Sequence, residues 1–438
     1  MITTLQPASN IVTQLLSEAL GHQAEDAHLR PLHYLITKKV SSGLLIFNLL
    51  TKELLFSESF KSLDDLVCSS SEERTLLAEK LFLVPLGFDE HMLTGQLRDL
   101  TRAIHDGPQC FTNYTILTTT DCNARCFYCY EKGIPHISMN EETANAVVRF
   151  ILRTGNKEGI CLNWFGGEPL LNVEVIDRIT SELSKQRIHF KSSMVTNGFL
   201  FDELMLAKAK KWNLGDLQIT IDGTEHAYNL RKSYKYQGGN AFQRVINNIS
   251  LLLEENIQVT VRINIDRRNI EDAKALLHLL YKEFGDNMRF SAYSHPLYQE
   301  KSKDLINQWR ILEPVVLEKL GHGHFSLCDE ITYFSCMADD GVSIIVMPDG
   351  NLCLCEHLCD SSYVGDIYSG VNKHKTVSQW KERIKETDSC AQCLLYPNCY
   401  QVRLCPLNHR GCNSSYREGS IMRLEYAILD YWLKHNGS

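Results

Sequence analysis

Long apolar runs are missing from this chain of 438 residues. No stretch reaches the length that spans a bilayer, which excludes an ordinary transmembrane helix and predicts no membrane partner. A basic excess is missing too. The 45 Lys and Arg against 53 Asp and Glu give a net charge of −8, the wrong sign for a general nucleic-acid binder with its basic face. The opening residues, MITTLQPASN, lack the basic and apolar regions of a secretory signal, so a cytoplasmic protein is expected. No internal repeat of fixed period and no low-complexity tract is present.

What the chain has in abundance is cysteine, 16 residues in all. In a reducing compartment so many thiols are more often metal ligands or catalysts than disulfides. They are also uneven: Cys68 and Cys110 come early, three lie between 122 and 129, Cys161 stands alone, and ten fall between 328 and 412. Otherwise a composition of 44% hydrophobic and 22% charged residues is ordinary for a globular protein. Length alone suggests roughly three domains of about 150 residues each.

Three regions separate by pattern. Residues 1–108 hold two apolar runs around turn-forming residues, YLITKKVSSGLLIFNLLTKELLFSES, followed by helical patterns, and predict a small α+β domain. Residues 109–320 alternate strands with amphipathic helices. The strands are expected at YTILT (114–118), ICLNWF (160–165), FKSSMV (190–195), LQITI (217–221), VTVRINI (259–265) and MRFSAY (288–293). Ser138 and Glu141 read as a capping box opening the first helix. Strict alternation implies parallel strands with crossover helices, and six such units predict an α/β fold, a partial (β/α)6 barrel. Residues 321–438 show little periodicity and dense cysteine, so metal is expected to replace a conventional core there.

Directly after the first barrel strand comes DCNARCFYCYEKG, with Cys122, Cys126 and Cys129 in C-x3-C-x2-C spacing. One short loop can place three such thiolates on three corners of an iron–sulfur cubane and leave the fourth iron open. Zinc would want a fourth ligand and a closed site. Further along, WFGGEPL places Gly166, Gly167 and Glu168 after the second strand. The glycines would allow backbone to approach a ligand and the carboxylate would meet an ammonium. Thr196 and Asn197 end the third strand, Thr220 and Asp222 the fourth, and Arg262 and Asn264 share one face of the fifth.

The triad, with Tyr128 before its third cysteine, resembles the signature of the radical S-adenosylmethionine (SAM) superfamily. The resemblance implies a 4Fe–4S cluster whose open iron chelates SAM and yields a 5′-deoxyadenosyl radical. It also implies SAM-binding roles for Gly166, Gly167, Glu168, Thr196, Asn197, Thr220 and Asp222, and for Arg231 at the SAM carboxylate. No glycine motif for adenine follows the fifth strand.

The late cysteines resemble the SPASM extension of radical SAM enzymes that modify peptides. That resemblance implies two auxiliary 4Fe–4S clusters, one on Cys328, Cys336, Cys355 and Cys405, the other on Cys390, Cys393, Cys399 and Cys412. The interval from Cys399 to Cys405 is longer than the resemblance expects, which leaves Cys353 and Cys359 as substitutes, and a zinc ribbon stays open for this region. Cys68, Cys110 and Cys161 read as ordinary buried thiols.

The implied substrate is a precursor peptide or protein, and the implied reductant is a flavodoxin or ferredoxin. Two reactions compete: thioether or related crosslinking, and sulfatase maturation to formylglycine, for which Glu356 stands where the resemblance expects an aspartate base. A sheet in residues 1–108 would suit leader-peptide capture by strand addition, or serve as a structural cap. An electron-transfer or zinc-binding module is the alternative without catalysis.

Overall fold

The computed structural model describes residues 2–6, 28–105, 110–235, 239–297, 299–300, 302–321, 327, 334, 336–358, 362–382, 385–400, 412 and 414–436. The chain forms two units, each assembled from separated segments.

The first unit comprises Met1–Gly107, Phe325–Cys336 and Lys381–Ser438. Its strands are β1 (Ile2–Gln6), β2 (Leu29–Pro31), β3 (Leu35–Val40), β4 (Gly43–Asn48), β5 (Leu54–Ser57) and β6 (Leu83–Pro85). The expected apolar runs become an antiparallel sheet in the order β1-β5-β4-β3, and β2 pairs with β6. Residues Leu44–Asn48 of β4 are all buried, so both faces of that strand are covered. Part of the cover is Leu395, Tyr396 and Ile428, which join the apolar core of this unit. Arg98, on the helix Glu90–His105, donates to the Tyr396 carbonyl at 2.9 Å and lies 4.7 Å above its ring.

The second unit comprises Pro108–His324 and Met337–Trp380. Six parallel strands follow one another: β7 (Asn113–Thr119), β8 (Ile160–Gly166), β9 (Phe190–Thr196), β10 (Leu214–Thr220), β11 (Gln258–Ile265) and β12 (Phe290–Pro296). All six fall where alternation placed them. The helices Glu141–Thr154, Val173–Lys185, Glu203–Lys211, Ala241–Glu254 and Ile270–Phe284 occupy the connections, as crossovers between parallel strands must. Period-two alternation sorts each strand. Trp164, Met194, Ile219 and Val261 enter the core with the helices. Asn163, Ser193, Gln218 and Tyr293 sit at the alternate, half-buried positions, where Ser193 bonds Asn163 at 3.2 Å and Tyr293 bonds Gln218 at 2.7 Å.

Three expectations are corrected. The helix after β7 starts at Glu141, capped by the Asn140 side chain on the Thr143 amide. Ser138 instead bonds the Thr119 hydroxyl at 2.8 Å. Asparagine and serine cap about equally well, so the choice is decided by Ser138 being held in a bridge to Thr119. The stretch after residue 321 is also more regular than its pattern suggested. There β13 (Ser343–Val346) pairs parallel to β7, and β14 (Asn351–Cys353), β15 (Tyr363–Asp366) and β16 (Gly370–Val371) extend the sheet antiparallel. Ile344, Leu352, Val364 and Trp380 belong to the main core, so apolar packing holds the described residues between 337 and 380. Cys68, Cys110 and Cys161 are exposed. Cys161 alternates with the buried Ile160 and Leu162 of β8 and takes the other face.

The described residues beyond 320 divide between the two units. No helix among the described residues is long and apolar enough to cross a membrane.

Candidate active site

Where β7 ends, the chain turns into the cysteine loop. Its base is closed by the Thr120 amide on the Ile137 carbonyl at 2.9 Å and the Thr120 hydroxyl on the Pro135 carbonyl at 2.7 Å. Asp121 organises the entry. Its carboxylate accepts from the Cys122 amide and from Lys235 Nζ, each at 2.8 Å. Burial works against its charge, but Lys235 and the Cys122 amide outweigh burial and hold it below the ordinary carboxylate range. Cys122, Cys126 and Cys129 are all half-buried. The Ala124 amide donates to Cys122 Sγ at 3.4 Å. Burial pushes the Cys122 thiol up to about 12 and raises Cys129 as well. Such thiols ionise when a cation takes the proton's place, which is what a metal does.

The Gly-Gly-Glu loop meets this loop directly. A Cβ on Gly166 would sit 2.2 Å from the Thr119 carbonyl oxygen, and one on Gly167 would sit 2.3 Å from that of Asp121. The Gly167 amide donates to Thr119 at 3.0 Å and the Glu168 amide to Asp121 at 2.9 Å. The close approach that these glycines permit is therefore to the chain's own cysteine loop, where sequence reasoning had expected a ligand. Glu168 is fully buried. Its carboxylate accepts from the Thr196 hydroxyl at 2.8 Å, the Asn197 amide at 2.9 Å and the Leu170 amide at 3.2 Å. Asn197 in turn donates to Asn123 Oδ1 at 2.6 Å. Three sequence motifs thus form one hydrogen-bonded junction at the ends of β7, β8 and β9.

Burial raises Glu168 from 4.5 to about 7, against the hydrogen bonds that oppose the shift. A carboxyl whose folded value is raised contributes stability below its unfolded value and loses it as pH rises through about 7. Wild type should lose about 3 kcal/mol of unfolding free energy across that interval through this group. Denaturant melts at several pH values should show a flatter profile for Glu168→Gln. Equal slopes would place the charge elsewhere.

At the end of β10, Asp222 is fully buried and pairs with Lys232 at 3.3 Å. It also accepts a hydrogen bond from the Tyr128 phenol. Thr220 is half-buried on β10, two residues before Asp222. Arg231 pairs with Asp266 at 3.1 Å and lies 5.0 Å from the Phe127 ring centre. Lys232 escaped sequence reasoning. A lysine in the last turn of the helix Glu225–Lys232 reads as a solvated charge facing the helix dipole. Burial works to lower it, yet Asp222, Tyr128 and Cys126 outweigh burial and hold it well above its ordinary value.

These residues fit the groups that the sequence implied. Asp222 Oδ1 and Arg231 Nε and Nη2 are buried without hydrogen-bond partners among the described residues. One unmet oxygen on a paired acid and two unmet nitrogens on a paired guanidinium suit the zwitterionic amino-acid end of SAM, since such atoms are costly to leave unmet. Beside them a 540 Å³ cavity is lined by Phe127, Tyr128, Cys129, Asp266, Leu297 and Gln299. Among the described residues no three His, Cys, Asp or Glu side chains converge as on a single ion. A cubane, which spreads its thiolates over separate irons, is compatible with that spacing.

The late cysteines are only partly in view. Cys328, Cys359 and Cys405 lie outside the described residues. Cys336 and Cys412 are exposed, and Cys355, Cys390, Cys393 and Cys399 are half-buried. Cys390 and Cys393 pack against the first unit's apolar core, and both act on the Cys412 thiol. Cys353 is buried in an apolar cluster with Leu117 and Ile345. Glu356 stands in a short turn, 3.9 Å from His357. The His357 ring meets Tyr130 edge-on at 4.6 Å, which brings this turn against the residue following Cys129.

A family model described as the radical SAM superfamily matches residues 116–280. A curated Fe-coproporphyrin III synthase from Methanosarcina barkeri is 24% identical over 198 residues, 44% of this chain and 46% of that protein. The match therefore spans less than half of that relative. Among solved structures, anSMEcpe with bound AdoMet and Cp18Cys peptide superposes with a TM-score of 0.52 at 18% identity, covering 74% of this chain and 99% of that one. Streptococcus suis SuiB bound to precursor peptide SuiA gives 0.50 at 12% identity, covering 87% and 96%. At these identities the structural likeness is one of fold.

Proposed function

We propose that this chain, whose residues 116–280 match the radical SAM superfamily model, modifies a ribosomally made peptide by thioether or related crosslinking. The observation that carries the reading is the junction of the cysteine loop, Gly-Gly-Glu loop and Thr-Asn loop at one end of the parallel sheet. That is the face where strand-end residues of such folds do chemistry.

In this reading Cys122, Cys126 and Cys129 hold the 4Fe–4S cluster, and Arg231 meets the SAM carboxylate. When bound, cluster and SAM supply a 5′-deoxyadenosyl radical that abstracts a substrate hydrogen. The chain's own work is positional. Glu168 ties the loop after β8 to the end of β9, Asn197 carries that tie to Asn123, and Tyr128 is held between Lys232 and Asp222. Cys390, Cys393, Cys399 and Cys412 hold one auxiliary cluster. Support for a peptide substrate comes from the fold shared with SuiB and anSMEcpe, each solved with a peptide. An acidic one-electron carrier such as a flavodoxin or ferredoxin would supply the electron.

Formylglycine formation is the second reading, and the contact of Tyr130 with His357 favours it by placing Glu356 near the cysteine loop. There Glu356 would take the substrate proton. Mass spectrometry of a peptide encoded beside this protein, incubated with enzyme, SAM and reductant, separates the two. Thioether formation removes a pair of hydrogen atoms and keeps sulfur. Formylglycine formation from cysteine releases sulfur. An unchanged peptide alongside SAM cleavage would contradict the peptide reading.

A further inference from the structure

The segment Arg231 to Lys235 runs alongside the first half of the cysteine loop. The Arg125 amide donates to the Lys232 and Ser233 carbonyls at 2.9 and 3.1 Å, and the Lys235 amide to the Asn123 carbonyl at 2.8 Å. Ser233 makes this possible by adopting a left-handed conformation, φ 47°, which ends its helix and turns the chain along the loop. Left-handed backbone is unfavourable for serine and persists only where the surroundings impose it.

Within that strap one side chain is spent differently from its neighbours. Lys235 pairs with the partly exposed Asp121, and Arg231 with Asp266, both largely buried. Lys232 is buried to 4% exposure and faces an Asp222 that is wholly buried. Its ammonium also donates to the Tyr128 phenol at 3.0 Å and lies 5.9 Å from the Tyr228 ring centre. A buried ion pair is a poor source of stability, because desolvation cancels most of the attraction and an apolar pair of similar volume often does as well. Packing alone therefore gives little reason for these two charges. Their shared partner does: Tyr128 is one of the two residues between Cys126 and Cys129.

We infer that Lys232 is a positioning residue, paired with Asp222 to hold Tyr128 and so to fix the place and the electrostatics of the Cys126–Cys129 limb. The inference rests on the triad being the cluster's ligands. It adds that the limb is shaped before any cluster arrives, and that a fixed cation beside it eases electron entry. Cluster potentials follow net charge and hydrogen bonding around the sulfurs, so a nearby ammonium moves the potential upward.

The test uses full-length protein in wild type, Lys232→Met, Asp222→Asn, the double variant and Tyr128→Phe. The double variant matters because removing one charge strands the other and can unfold the chain. In metal-free protein, hydrogen exchange across residues 122–130 should run roughly tenfold faster in the double variant and in Tyr128→Phe, with global melting little changed. After anaerobic reconstitution, the midpoint potential of the SAM-responsive cluster should fall in Lys232→Met and rise in Asp222→Asn. Wild-type loop protection in the folded double variant, or potentials that do not move with the sign of the charge removed, would overturn the inference. Iron loading without any SAM response in wild type would instead overturn the functional reading and leave the loop measurement valid.

Discussion

Replacing Cys122, Cys126 and Cys129 together by alanine should remove about four iron atoms per chain from an anaerobically reconstituted total near twelve. Cleavage of SAM should fall to the buffer background while the auxiliary iron stays. The reason is stoichiometric. In the proposed reading each half-buried thiol would supply one corner of the cubane, and burial keeps Cys122 protonated until a cation claims it. Single replacements should behave almost as badly, since two thiolates in one loop cannot hold the cluster's position. The fold itself should survive, because the loop is closed at its base by Thr120 and flanked by the 231–235 segment. Melting curves near wild type with iron lost would show the triad to be a ligand set. Iron unchanged at wild-type level would show that the metal sits elsewhere.

The second large effect is expected at Gly166 and Gly167. Both added methyl groups would strike backbone carbonyls, at 2.2 and 2.3 Å, and backbone cannot swing aside as a side chain can. Gly166 also has φ +125°, a region that L side chains rarely adopt. Either alanine should cost on the order of 1–3 kcal/mol through overpacking, more at Gly166. Function should suffer beyond stability. Pushing the Glu168 loop off the cysteine loop by about 1 Å would cost roughly 100-fold in SAM cleavage, the usual penalty for misplacing reacting groups. Gly215, with nothing within 4 Å of an added Cβ, is the control, and Gly215→Ala should be close to neutral. Denaturant midpoints and SAM cleavage rates measured on all three variants decide the matter. Wild-type rates in Gly167→Ala would reduce the motif to a turn.

The sequence carried much of this site, and its omissions have physical causes. The six parallel strands were legible because helix-facing residues such as Trp164 and Met194 alternate with residues of the half-buried face such as Asn163 and Ser193. The same alternation put Cys161 beside Asn163 and could have marked it as exposed. Gly166 and Gly167 announced a close approach, but a glycine does not say what approaches. Only the folded register reveals Thr119 and Asp121 as the partners. Lys232 gave no signal at all. Its burial is created by Asp222 and by Tyr128, which lies far along the chain. Likewise β13 is a short run, SIIV, whose partner β7 is remote in sequence, and Leu395 and Tyr396 find their apolar neighbours in the amino-terminal sheet. Local patterning cannot report pairings of that range.

One measurement bears most directly on the open iron corner. Electron paramagnetic resonance of the dithionite-reduced, reconstituted protein should show one signal that changes shape when SAM is added. That change should vanish in the triple alanine variant, while the remaining signals persist. Spectra that are identical with and without SAM in wild type would contradict the account.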